Sequence, residues 1–227
     1  TFLNSKKILV NNAETKKLIP YIYHHKIEEM LAVGINNNGS HKIKLDKDNS
    51  VFNICFAGNL IELKGILIVL KTFSSLKVKN HNIKLTIIGS GPYELKFKKA
   101  AIKLQIDKDV NWLGKIERDE LLSIFNKSDL LLYPSLRDSG GLVVLEALSQ
   151  GLPVATLNLG GPGEIINNDC GIKIDVNNKS ESQIIFDLTA KIEQLIKNEI
   201  RINYLRNKSL ERINHYSWIN KALRLYK

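Results

Sequence analysis

Residues 130–157 read Leu130-Leu-Leu-Tyr-Pro-Ser-Leu-Arg-Asp-Ser-Gly-Gly-Leu-Val-Val-Leu-Glu-Ala-Leu-Ser-Gln-Gly-Leu-Pro-Val-Ala-Thr-Leu157. An apolar run, Leu130–Tyr133, passes into a polar loop with two glycines. An amphipathic stretch, Leu142–Gln150, follows, and then a second apolar run, Pro153–Leu157. Both runs are near-continuously apolar rather than alternating, which suits parallel strands buried on both faces. Strand, glycine loop, helix, strand is the repeating unit of a doubly wound, Rossmann-like α/β sheet.

The same rhythm extends in both directions. Further strands are predicted at Val51–Ala57, Ile83–Ile88, Val110–Leu113 and Gly171–Ile174, with helices at Gly65–Val78, Tyr93–Leu104, Arg118–Lys127 and Glu164–Asn167. From Ser180 onward the chain reads as helical, and Trp218, Ala222, Leu223 and Leu225 give the last helix an apolar face. Residues 1–35 read as a strand at Lys7–Val10, a short helical stretch ending near Pro20, and mixed sequence to Ile35. Residues 36–50, rich in Asn, Gly, Lys and Asp, read as a linker. Thr1 stands first and the only methionine is Met30, so a further N-terminal region is expected upstream.

Composition narrows the class. The 227 residues are 44% hydrophobic and 25% charged, which is ordinary for a globular protein. Cys55 and Cys170 cannot form a disulfide framework, which points to a reducing, intracellular setting. No apolar run reaches the ~18 residues of a membrane span. The net charge is 33 − 23 = +10. The lysines are scattered among carboxylates with no aromatic ladder, so the charge reads as a solvated surface, and no nucleic-acid partner is expected.

Ligands of open α/β sheets bind beyond the carboxyl ends of the strands, so the loops there are where chemistry is expected. In the loop after Tyr133, Gly140 and Gly141 leave backbone N–H groups uncovered at a helix N-terminus, which suits a phosphate. Glu146 stands on the helix face of Leu142 and Val143, where an apolar residue is expected, and its carboxylate can reach a ligand's hydroxyls. Asp138 precedes the glycines. The bland alternatives are a helix cap for Asp138 and a locally satisfied, partly buried carboxylate for Glu146. In Gly58-Asn59-Leu60-Ile61-Glu62-Leu63-Lys64-Gly65 a cation stands where a helix begins, which fits a diphosphate; the alternative is a solvated lysine beside a turn glycine. Gly89-Ser90-Gly91-Pro92 reads as a tight turn with Pro92 at the first helical position. Gly160-Gly161-Pro162-Gly163 reads as glycines preceding a helix that walls the anion site. No Cys/His cluster has metal-ligand spacing and none of the five histidines neighbours a nucleophile.

Asp138-(seven residues)-Glu146, with Gly140-Gly141 inside and Leu145-Glu146-Ala147-Leu148 at its end, resembles the E-x7-E motif of retaining glycosyltransferases. Gly151-Leu152-Pro153-Val154, Gly160-Gly161-Pro162, Gly58 with Lys64-Gly65, Ile87-Ile88-Gly89-Ser90-Gly91-Pro92, Leu113-Gly114 and Asp119-Glu120-Leu121-Leu122 are also similar to glycosyltransferase family 4, also known as group 1, which has the GT-B fold. The resemblance covers about residues 51–225. It implies that residues 51–213 are the C-terminal, nucleotide-sugar donor-binding domain. Residues 1–35 would then be a remnant of the N-terminal acceptor-binding domain, and 214–227 the helix that crosses back to it.

By that resemblance Glu146 binds the donor's ribose hydroxyls, Asp138 contacts the donor sugar and Lys64 neutralises the diphosphate. Gly58, Asn59, Ser139, Gly140, Gly141, Leu142 and Val143 line the donor site, backbone amides near Gly141 to Val143 holding sugar hydroxyls or phosphate. Backbone around Leu113, Gly114 and Lys115 edges the base. Two departures stand out. Asn59 replaces an arginine that the family often has after the first-loop glycine, leaving Lys64 to bear more of the diphosphate. The first motif carboxylate is Asp138 rather than Glu, which shortens its reach. The implied activity is metal-independent hexosyl transfer, with no cofactor, from a UDP- or GDP-sugar to a saccharide or lipid-linked acceptor in cell-surface polysaccharide synthesis. The setting is cytoplasmic, with peripheral contact at the inner membrane face, and the chain without its N-terminal domain is expected to be inactive. The alternatives are a non-catalytic nucleotide-sugar-binding subunit that needs a partner, and a GT-B-like nucleotide-sugar epimerase.

Overall fold

The computed structural model describes residues 2–35, 51–79 and 82–225; the linker expected at 36–50 lies outside them. Six parallel strands form the main sheet: β3 (Phe52–Ala57), β4 (Ile83–Ile88), β5 (Val110–Gly114), β6 (Leu130–Tyr133), β7 (Val154–Leu157) and β8 (Gly171–Ile174). Their order is β5-β4-β3-β6-β7-β8. The chain builds outward from β3 to one edge, then returns and builds from β6 to the other. β3 and β6 pair in parallel, Ile54 with Leu130 and Cys55 with Leu131, and the order reverses between them. Such a switch point leaves a crevice at the strand carboxyl ends.

Right-handed crossovers place the helices of the two halves on opposite faces. Helix α2 (Ile66–Val78) packs against α3 (Glu94–Lys103) and α7 (Glu181–Ile196), whereas α5 (Leu142–Ser149) packs against α4 (Arg118–Lys127) and α8 (Glu199–Ile213). All four residues of β6 and of β7 are buried, as strands covered by helices on both faces must be. Phe56, Phe73, Phe97 and Phe125 are fully buried; truncating one such ring to Ala typically costs about 3–5 kcal/mol.

Predicted strands and helices hold to within a residue or two, with three corrections. The helix expected at Glu164–Asn167 is α6, Gly160–Ile165, so its glycines lie inside the helix rather than before it. A Cβ on Gly161 would come within 2.7 Å of the Gly140 carbonyl carbon, and one on Gly163 within 2.8 Å of that of Asn158. Close backbone packing outweighs the low helix propensity of glycine here. Helix α3 starts at Glu94, so Pro92 lies in the turn before it; Gly91 in that turn packs directly on the Leu60 backbone. The C-terminal helical run is broken twice. Asn198 caps α8 by accepting from Arg201 N at 2.9 Å, and residues 214–216 form a 3-10 turn before the last helix, α9 (Trp218–Leu225).

At the N-terminus, β1 (Ile8–Val10) pairs in parallel with β2 (Ile27–Glu29), a strand with one apolar residue and no strand signal in the sequence. Between them lies α1 (Ala13–Lys17), capped by Asn12. Helix α9 returns to this segment. Its buried Lys221 donates to the Leu31 and Val33 carbonyls, Ile35 N donates to Tyr216 O at 3.1 Å, and Gly34 leaves room for the Trp218 ring.

Candidate active site

Two loops meet at the switch point. The first follows β3 and ends in a 3-10 turn, Glu62–Lys64, then Gly65, whose φ is 74°. The second follows β6 from Pro134 to Gly141. They are tied together: Leu136 N and Ser135 Oγ donate to Leu63 O at 2.9 and 3.2 Å. A Cβ on Gly65 would lie 2.1 Å from Pro134 O, so only glycine permits this approach.

The clasp carries Lys64 to Asp138. Lys64 Nζ lies 2.8 Å from Asp138 Oδ2. The Tyr133 hydroxyl donates to the same oxygen at 2.6 Å. Asp138 Oδ1 accepts from Gly140 N and Gly141 N at 3.1 and 2.9 Å. Burial alone would raise the Asp138 carboxyl pKa, but the Lys64 ammonium, the Tyr133 hydroxyl and the Gly141 N–H together hold it below the usual carboxylate range. Burial, together with the Asp138 charge, pushes the Tyr133 phenol far up, so it stays a donor. Lys64 also sits over the Tyr133 ring, 5.6 Å from its centroid, and that ring stacks on Phe56.

This corrects one expectation. The Gly140 and Gly141 amides are not open to an anion, because Asp138 takes both in the capping geometry. The open donors are one step further on. Among the described residues the N–H groups of Leu142 and Val143 meet no protein acceptor, as the first turn of a helix without a side-chain cap leaves them. They stand at the positive end of α5.

Glu146, 8% exposed, lies one turn into α5. Its Oε1 accepts from Arg118 Nε at 2.8 Å, across from the first residue of α4. Gly58 and the exposed Asn59 open the first loop; Gly58 N donates to Ile88 O at 3.0 Å. Leu113 and Gly114 are half-buried at the end of β5, with Lys115 exposed beside them. The intervening loop links the two: Gly89 N donates to Gly114 O at 2.7 Å, and Gly89 packs on Gly58 O. Ser139 is exposed, and its carbonyl accepts from Asn12 Nδ2 at 3.2 Å. Every residue expected at the site therefore lies in the loop cluster at the carboxyl ends of β3, β5 and β6 or in the first turns of α5.

Sequence reasoning missed Arg118, the Tyr133 hydroxyl and the N-terminal clasp. That clasp includes Asn12 on the Ser139 carbonyl, Glu14 on Gly160 N at 3.3 Å, and Ala13 N on Glu164 at 3.0 Å. Tyr133 carried one usable signal, since a buried phenol at the end of an apolar strand needs a polar partner. Arg118 carried none.

With that geometry in hand, the comparisons are specific. The family model for glycosyl transferases group 1 matches residues 38–213. An uncharacterized glycosyltransferase of Methanocaldococcus jannaschii is 29% identical over 74% of this chain and 42% of its own length. Among solved structures, the pneumococcal O-GlcNAc transferase GtfA, in complex with UDP and GlcNAc, superposes with a TM-score of 0.77. It shares 19% identity over 93% of this chain and 42% of its own. WaaG, a glycosyltransferase involved in lipopolysaccharide biosynthesis, superposes with a TM-score of 0.74 and 20% identity over 95% of this chain and 61% of its own. The chain thus spans less than two thirds of each of these proteins. The parallel sheet has the doubly wound architecture of the GT-B glycosyltransferases. Among the described residues no helix is long and apolar enough to cross a membrane.

Proposed function

The chain belongs to the glycosyl transferases group 1 family, and from that premise we propose that it is the donor-binding half of a retaining, family 4 glycosyltransferase. The donor is a nucleoside diphosphate sugar and the acceptor a saccharide or lipid-linked saccharide. One observation supports this reading: Lys64 from the loop after β3 meets Asp138 in the loop after β6, and that loop opens α5, whose Leu142 and Val143 amides meet no acceptor among the described residues and whose next turn carries Glu146.

As the glycosidic bond breaks, negative charge develops on the β-phosphate. Lys64 and the N-terminus of α5 are fixed positive groups that stabilise it without reorganising. Glu146 accepts from the ribose hydroxyls. Asp138 acts here first as a positioning residue. Four donors fill the roughly four lone-pair sites of its carboxylate, so it holds both Lys64 and the glycine turn, and its charge favours the cationic character of the departing sugar. A direct sugar contact by Asp138 requires one of those donors to yield. The acceptor wall belongs to a further N-terminal region, so this chain binds donor without turnover. The reported role of WaaG in lipopolysaccharide biosynthesis supports an acceptor in surface-saccharide assembly, at the cytoplasmic face of the membrane.

Calorimetric titration of the protein with UDP and with GDP tests the reading; UDP comes first because GtfA was solved with it. One of the two should bind, and Glu146→Ala should weaken it. Absence of binding by either, or equal affinity in the variant, overturns the donor reading or the ribose role respectively.

A further inference from the structure

Glu146 is a nearly buried acid whose partner is conspicuously incomplete. Arg118 meets it through Nε alone, at 2.8 Å. An arginine present only to neutralise a carboxylate favours the two-pronged geometry, in which both oxygens are matched. Here the second oxygen, Oε2, has no partner among the described residues, and neither have the terminal nitrogens of the guanidinium. The Arg118 side chain is 61% exposed against 10% for that of Glu146. An unfilled acceptor and unfilled donors therefore lie side by side, with the donors on the solvent side.

The chemistry that answers such a pair is a hydroxyl, which donates to one neighbour and accepts from another. A vicinal diol offers two. Position agrees, because Arg118 is the first residue of α4, immediately after the loop that leaves β5. It thus stands between the loop expected to edge the base and the carboxylate expected to meet the ribose.

We propose that Arg118 is a donor-binding residue that forms, with Glu146, a clamp on the ribose cis-diol: one hydroxyl donates to Glu146 Oε2 while its oxygen accepts from an Arg118 terminal N–H. The clamp rests on the donor reading above. It makes the site selective for ribose through two residues rather than one.

The test compares UDP (or GDP, if only GDP binds) with its 2′,3′-dideoxy counterpart by calorimetry, in the unaltered protein and in Arg118→Ala, Arg118→Lys and Glu146→Gln. The unaltered protein should prefer the ribonucleotide. Arg118→Ala should weaken the ribonucleotide about tenfold and leave the dideoxy nucleotide unchanged, with Arg118→Lys restoring part of the loss. In Glu146→Gln, where no buried charge is stranded, adding Arg118→Ala should still erase any remaining ribose preference. A ribose preference that survives Arg118→Ala, or an equal loss for both ligands, overturns the clamp and leaves the donor reading standing. Failure of the unaltered protein to bind UDP or GDP overturns both.

Discussion

Lys64 and Asp138 lie 74 positions apart in the chain, yet Lys64 Nζ sits 2.8 Å from Asp138 Oδ2. The pair bridges the two halves of the doubly wound sheet, one residue from the loop after β3 and the other from the loop after β6. Its side chains are 18% and 16% exposed, so the charges are screened far less than a surface pair. Whatever anion binds at the switch point meets a lysine already held in place.

Replacing that lysine should separate phosphate binding from nucleoside binding. Lys64→Ala is expected to weaken UDP by about tenfold to a hundredfold, since hydrogen bonds to charged groups contribute about 1.5–3 kcal/mol, while uridine loses less than about twofold. Calorimetry with the two ligands reads the difference directly. Equal losses would assign Lys64 to structure alone.

The Tyr133 hydroxyl should matter to the same pair. Tyr133→Phe keeps the ring on Phe56 and deletes the hydroxyl's donation to Asp138. A stability loss of about 1–2 kcal/mol is expected, seen as a melting temperature lower by roughly 2–8 °C. UDP should also bind several-fold more weakly, because Asp138 then orients Lys64 with one donor fewer. Unchanged melting and unchanged binding would show the hydroxyl to be idle.

The carboxyl group of Asp138 has a pH signature. Its folded pKa lies below the ordinary carboxylate value, so its stabilising effect is full above the unfolded value, near 4, and is lost as pH falls through the folded one. The stability gap between the unaltered protein and Asp138→Asn should be constant around neutrality and shrink below about pH 4. Urea titrations at a series of pH values measure it. In Asn the amide NH2 would face either Lys64 and Tyr133 or the Gly140 and Gly141 N–H groups, so the neutral-pH gap should be about 2 kcal/mol. A gap that widens in acid would contradict the assignment.

Two glycines with nearly the same φ provide a matched test of the clasp. Gly65 has φ 74° and a Cβ position 2.1 Å from Pro134 O; Gly114 has φ 69° and nothing within 4 Å. Gly114→Ala should cost only backbone strain, about 1 kcal/mol. Gly65→Ala adds a collision with backbone, so it should cost clearly more and, on the proposed function, abolish the UDP binding assigned to Lys64 next to it. Equal costs in urea denaturation would show that the loops can part freely.

Lys221 anchors the end of the chain. Burial lowers its pKa, and its ammonium is taken up by the Leu31 and Val33 carbonyls. Lys221→Met keeps the stem but strands those carbonyls. Limited proteolysis should then cleave between Ile213 and α9 faster than in the unaltered protein; identical cleavage would show that Trp218 against Gly34 suffices.

How far the sequence could be read follows from the range of the forces involved. Leu130–Tyr133 and Val154–Leu157 are legible because a strand buried on both faces is almost wholly apolar, Thr156 being accommodated by donating to Tyr133 O, and Arg118–Lys127 because its apolar spacing is local. The glycines of α6 misled, since local propensity places them outside a helix whereas their role is close approach to Gly140 and Asn158. β2 was invisible because one isoleucine in three residues carries no periodic signal. Asp138 and Glu146 stood out as carboxylates in an apolar or glycine-rich setting, but their partners did not.

The sequence by itself determined the alternation of strand and helix, the position of the glycine loops and the family to which the chain belongs, because burial pattern and turn chemistry act over neighbouring residues. Only the tertiary structure decided that Asp138 holds Lys64, Tyr133 and the glycine amides, that among the described residues the open donors of that turn are those of Leu142 and Val143, and that Glu146 faces Arg118. Those contacts join residues brought together by the order of strands in the sheet. Hydrogen bonds formed across a switch point depend on distances of a few tenths of an ångström, which no spacing along the chain encodes.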